Sequence, residues 1–149
     1  MAPRARALTP ESLGAWVLKT NPRQQPVGEL VRSGFRTVTA RCVRPTYRAD
    51  LIAAGQPVLL WVSGGDPSIP AGIYAQGRTT GAAEPGSPEL TMPVELGPVE
   101  PPVLRAELVE HPLLGQIEVL KMAAGSNPSF ITREGLRELT RRWPQVTVG

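Results

Sequence analysis

The chain of 149 residues contains one cysteine, Cys42, and one histidine, His111. An internal disulfide is therefore excluded, and two such side chains cannot fill the four-ligand shell of a structural zinc site. A lone Cys fits a reducing compartment, and Cys42 reads as a small buried apolar residue. Long hydrophobic runs are missing too: nothing approaches the roughly 20 apolar residues a spanning helix needs, and the Arg-containing start is not followed by a secretory apolar core. The expectation is a cytoplasmic protein with no membrane segment. Aromatic residues are scarce, at three Trp, two Tyr and two Phe.

What the chain does have is enough Leu, Ile, Val and Phe for a core, about a quarter of all residues against the roughly 20% below which disorder is expected. The 17 Pro and 15 Gly imply many turns and short strands. The length suits one domain. Residues 1–13 read as a flexible N-terminus and residues 14–149 as a single domain. Ala15 to Lys19 is a strand closed by Thr20-Asn-Pro22. A short helix from Val27 to Ser33 ends at Gly34, and Arg36 to Arg41 alternates as a weak strand. Tyr47 to Ala54 gives helical turns stopped by Gly55. Pro57 to Ser63, the most apolar run, is a central strand, and Ala71 to Thr80 is its neighbour. Leu90 to Leu96 alternates as another strand before a break at Glu100-Pro-Pro102. Arg105 to Glu110 is helical, and Thr132 caps a last helix ending at Trp143 before Pro144. The fold class expected is α+β, a small closed or nearly closed antiparallel β-barrel flanked by short helices.

Catalytic signatures are absent. His111, in a turn before Pro112, reads as a surface or capping residue, and Ser63-Gly-Gly-Asp-Pro67 lacks the Lys-Ser/Thr ending of a phosphate loop. The formal net charge is only +3, but residues 1–50 hold nine Lys/Arg against three Asp/Glu, whereas residues 51–100 hold one against five. A basic first third points to an anionic partner.

Three segments carry more. They are Trp16-Val-Leu-Lys-Thr-Asn-Pro22; Gly55-Gln-Pro-Val-Leu-Leu-Trp-Val-Ser63 with Pro70-Ala-Gly-Ile-Tyr-Ala-Gln-Gly77; and Gly125-Ser-Asn-Pro-Ser-Phe-Ile-Thr132. In this order and spacing, spanning about Ala15 to Arg142, the chain resembles the EVE domain family of the PUA-like superfamily, itself related to YTH-type readers of modified bases. The resemblance implies a small β-barrel with a side pocket. It assigns to that pocket Trp16, Lys19, Thr20 and Asn21 from the opening strand, Trp61 and Ser63 from the central strand, Gly72 and Ile73 from its neighbour, and Asn127, Pro128 and Ser129 from the late loop. Gln56 stands where the family's turn carries Asp.

The partner so implied is DNA or RNA containing a modified base, bound by a non-catalytic module with no metal or cofactor. An extruded base offers two flat apolar faces and one hydrogen-bonding edge, which aromatic, amide and hydroxyl groups match. Trp61 would supply a face and Asn127 an edge reader, while Arg41, Arg44 and Arg48 would contact phosphates. On a strand, Trp16 and Trp61 also read as core, Phe130 likewise, and Asn127 before Pro128 as a turn-former. The alternatives are an enzyme acting on a modified nucleotide, with Asp50 or Asp66 as acid or base, and a protein-interaction adaptor with a vestigial pocket.

Overall fold

The most apolar run of the chain forms strand β3 (Pro57–Val62), whose last five residues are all buried because the strand is covered on both faces and paired on both edges. On one edge lies β1 (Leu13–Thr20), running parallel with Trp16 opposite Val58 and Thr20 opposite Val62. On the other lies β4 (Gly72–Thr79), antiparallel. The computed structural model describes residues 8–20, 27–63, 67–86, 90–122 and 127–148. Between β1 and β3 it has helix α1 (Val27–Arg32), strand β2 (Ala40–Val43) and a 3₁₀ turn, Tyr47–Leu51. A crossover of that length is what permits a parallel pair.

The remaining elements are β5 (Glu84–Pro85), β6 (Leu90–Leu104), α2 (Arg105–Leu108), a 3₁₀ turn at Leu114–Gln116, α3 (Glu118–Lys121), β7 (Ser129–Thr132) and α4 (Arg133–Arg142). The strands form one sheet in the order β2-β6-β4-β3-β1-β7, with β5 beside β6. This is a mixed α+β fold built on a curled, open half-barrel. The closed or nearly closed antiparallel barrel expected is met in part: the sheet curls as a barrel does, but the β1–β3 pair is parallel, and β2 and β7 remain as edges.

Alternation along the strands divides the interior in two. Trp16, Leu18, Val58, Leu60 and Val62 face one cluster, inside the curl, with Val43, Phe35 and Met92. Ala15, Val17, Leu59 and Trp61 face the other, beneath the helices, with Leu108, Leu114, Leu139 and Trp143. Leu8 is buried in the first cluster, so the packed fold starts ahead of residue 14.

Several sequence expectations shift. The weak strand placed at Arg36 to Arg41 is realised later, as β2, in which Val43 is buried and Cys42 is exposed on an edge strand. The break at Glu100-Pro-Pro102 is a bulge inside one strand: β6 pairs Val103 with Ile73 and Pro98 with Ala75, so several β6 residues answer one of β4. Prolines fit there because a bulge asks for no ladder N–H. Helix α4 is capped as expected, Thr132 Oγ1 accepting from Gly135 N at 3.1 Å, and it presents Leu136 and Leu139 to the core.

Candidate functional site

The two edges of the open sheet come together at the C-terminal end of β1. There the β1–β7 register pairs Val17 with Ser129, and its continuation sets Lys19 opposite Asn127. Pro128 has no N–H to extend the ladder. The side chain of Asn127 extends it instead, its Oδ1 accepting from Lys19 N at 2.8 Å and its Nδ2 donating to Lys19 O at 3.3 Å. From the β2 side, Arg44 N donates to Asn127 O at 2.9 Å, and Arg41 Nη2 reaches Lys19 O at 3.4 Å. Hydrogen bonds of these kinds, and no continuous ladder, bridge the seam.

A buried-edge ion pair clasps it. The Arg48 guanidinium donates Nη1 to Glu118 Oε1 at 2.7 Å and Nη2 to Oε2 at 2.9 Å, a fork on a fork, and Nη1 also reaches Pro128 O at 2.9 Å. Ser129 Oγ donates to Glu118 Oε1 at 2.8 Å. The guanidinium lies 4.9 Å above the centroid of the half-buried Phe130 ring. Lys19 Nζ donates to Met122 O at 2.8 Å, tying β1 to the end of α3. Tyr47, 49% exposed, accepts at its hydroxyl from Leu8 N.

The electrostatics follow from this packing. Burial alone would push the Glu118 carboxyl up, but hydrogen bonds from Arg48 and Ser129 and the charges of Arg48 and Lys19 outweigh it and hold the group below its ordinary value. Burial lowers the Lys19 ammonium, and the neighbouring Arg48 adds to this while Glu118 opposes it. Burial lowers Arg41 as well. Beside the clasp an open cleft of about 440 Å³ is lined by Phe130, Ile117, Met122 and Leu113, with Glu118 and Lys121 on it. Its walls are mainly apolar, its rim charged.

Thus Lys19, Thr20, Arg41, Arg44, Arg48, Asn127, Pro128 and Ser129, drawn from distant parts of the chain, belong to one seam. Ser63 adjoins it, its N–H donating to Thr20 O at 2.9 Å. Trp16, Trp61, Gly72 and Ile73 do not line an opening. Trp16 is fully buried in the first cluster, Nε1 donating to Gln56 Oε1 at 2.7 Å. Trp61 is 3% exposed on the opposite face of the sheet, so the two rings cannot enclose one base, and neither offers a free face. Ile73 packs with Trp61, and a Cβ on Gly72 would stand 2.4 Å from Val103 O, so both are packing positions. Asn21 lies outside the described residues, as does Asp66.

Arg48 is a clasp and not a free phosphate ligand, because its fork is occupied by Glu118. The amide of Asn127 is likewise occupied by β1. Sequence reasoning missed Glu118, which carried no signal beyond a helix-surface carboxylate, and took Phe130 for plain core. His111 behaves as a capping residue: Nδ1 accepts from Leu113 N and Leu114 N at 3.1 Å each, and Nε2 meets Glu138 at 3.1 Å.

No family model matches the chain, and no curated protein matches it. Solved structures do. A Rhodopseudomonas palustris protein determined by NMR has a TM-score of 0.67 at 16% identity, over 91% of this chain and 96% of its own. A hypothetical protein from Leishmania major has a TM-score of 0.68 at 14% identity, over 92% and 98%. A Pseudomonas putida protein has a TM-score of 0.64 at 16% identity, over 85% and 97%. Likeness at such identity is one of fold: the chain shares a whole-length architecture with these proteins.

Proposed function

We propose that the chain is a non-catalytic nucleic-acid-binding module of the PUA-like, EVE type, which takes a modified base of DNA or RNA beside the seam. The observation that carries the reading is the convergence of Lys19, Arg41, Arg44 and Arg48 with Tyr47 and Phe130 at the end of β1. Cations interleaved with aromatic rings suit a polyanion that also presents bases. In this reading the base enters the cleft at Phe130, Ile117 and Met122, whose apolar walls suit its faces, and not a site at Trp61. Arg44 and Lys121, both exposed, would meet phosphates, while Arg48 holds the seam together.

The test is a panel of short DNA and RNA oligonucleotides carrying differently modified cytosines, adenines and thymines, measured for affinity and for turnover. The reading expects one modified base to bind at least tenfold tighter than its parent, unchanged by the encounter. Chemical conversion of the base would favour the enzyme alternative, with exposed Asp50 as a candidate. Absence of binding to every member would leave the adaptor reading.

A further inference from the structure

At the other end of β1 the sheet leaves a gap. The β1–β3 pairing starts only at Trp16 and Val58, so Leu13 and Gly14 overhang the start of β3 at Pro57, with α4 packed alongside. The result is an open cleft of about 480 Å³, within the size range of small-molecule sites. Its floor is apolar, from Leu13, Pro57 and Leu136. Two guanidinium groups, Arg133 and Arg137, stand on it one helical turn apart, a spacing that brings side chains to roughly 5–6 Å. No carboxylate is among its described lining residues: Glu138 is turned to Arg141 and His111. The Arg137 guanidinium makes no hydrogen bond or ion pair with any described residue, its backbone O accepting from Thr140 Oγ1 at 3.0 Å, and the Arg133 guanidinium makes one, Nη2 to Pro10 O at 3.2 Å. Gly14 and Gly55 bring backbone without side chains to the walls.

We propose that this cleft is a phosphate-binding site for a nucleotide, separate from the seam and independent of the function assigned to it. A single carboxylate is satisfied by one guanidinium fork. A phosphate, with two non-bridging oxygens in a chain and three at a terminus, can engage two. The apolar floor then accepts the sugar and base that a bare phosphate lacks. The phosphate belongs to a free nucleotide or to a nucleic-acid chain, and the chemistry of the site is the same for both.

The experiment follows backbone amide shifts of Gly14, Gly55 and Gln56 by NMR while adenosine monophosphate, adenosine, inorganic phosphate or an unmodified tetranucleotide is added. Adenosine monophosphate is expected to move these amides and to bind at least tenfold more tightly than adenosine. Arg137→Gln, at an exposed position, should weaken it severalfold, and Arg133→Gln with Arg137→Gln tenfold or more. Arg44→Gln, at the seam, should leave it unchanged. Tighter binding of the tetranucleotide identifies a chain phosphate, and preference for the mononucleotide a free one. Equal affinity for adenosine and its monophosphate, or for parent and double variant, would overturn the proposal, as would shifts confined to residues outside the cleft.

Discussion

Glu118 shows how one side chain can decide whether an open sheet behaves as a closed one. It accepts both arms of Arg48 and the hydroxyl of Ser129, and so joins the 3₁₀ turn Tyr47–Leu51, α3 and β7. Because its pKa in the fold lies below the ordinary 4.5, its stabilisation is complete above that value and disappears as the pH falls through the lower, folded one. Glu118→Gln should therefore be less stable at neutral pH, and its stability should fall less steeply than the parent's as the pH drops below about 5. Urea titrations across that range measure the difference. Glu138, held at about 2 by hydrogen bonds from Arg141 and His111, is common to both proteins and cancels. Trp61→Ala, by contrast, empties a site within the second core, and a loss of about 3–5 kcal/mol is expected in denaturant melts. Those residue roles were only partly legible. That Lys19, Thr20, Asn127 and Ser129 share a place followed from their resemblance to a known pattern. Which groups remain available did not, because Asn127 is occupied by the backbone opposite and Arg48 by a carboxylate 70 residues away.

At the scale of elements, the strands were the most readable part. β1, β3 and β4 announce themselves by apolar residues bounded with Gly and Pro, and α4 by its Thr132 cap. β6 did not, since Pro101 and Pro102 read as a break while the strand continues around a bulge against β4. Polar and charged outward positions likewise hid the start of β2. Beyond that bulge β4 and β6 approach so closely that glycine is required. A Cβ on Gly77 would lie 1.8 Å from Glu95 O, a backbone atom that cannot move without its strand. Gly77→Ala should destabilise by about 1–3 kcal/mol through overpacking, whereas Gly97→Ala, with nothing within 4 Å, should leave the melt close to the parent's on that count. Thermal melts of the two variants compare the positions directly.

For the molecule as a whole, the sequence conveyed a mixed fold with many short strands but not how its sheet ends. Closure depends on pairing between β2 and β7, each of four residues and far apart in the chain, and no local pattern encodes their meeting. An unclosed sheet leaves backbone, cations and aromatic rings at one seam, where a nucleic acid is proposed to bind. The binding of a short oligonucleotide at increasing salt tests this most directly, comparing the parent with Arg44→Gln/Lys121→Gln, whose substitutions are exposed and leave the clasp intact. Each lost phosphate contact lowers the slope of log affinity against log salt by about 1, so the account predicts a double variant shallower by about 1–2 and weaker at low salt. A parent that binds no oligonucleotide, or a double variant with the parent's affinity and slope, would contradict it.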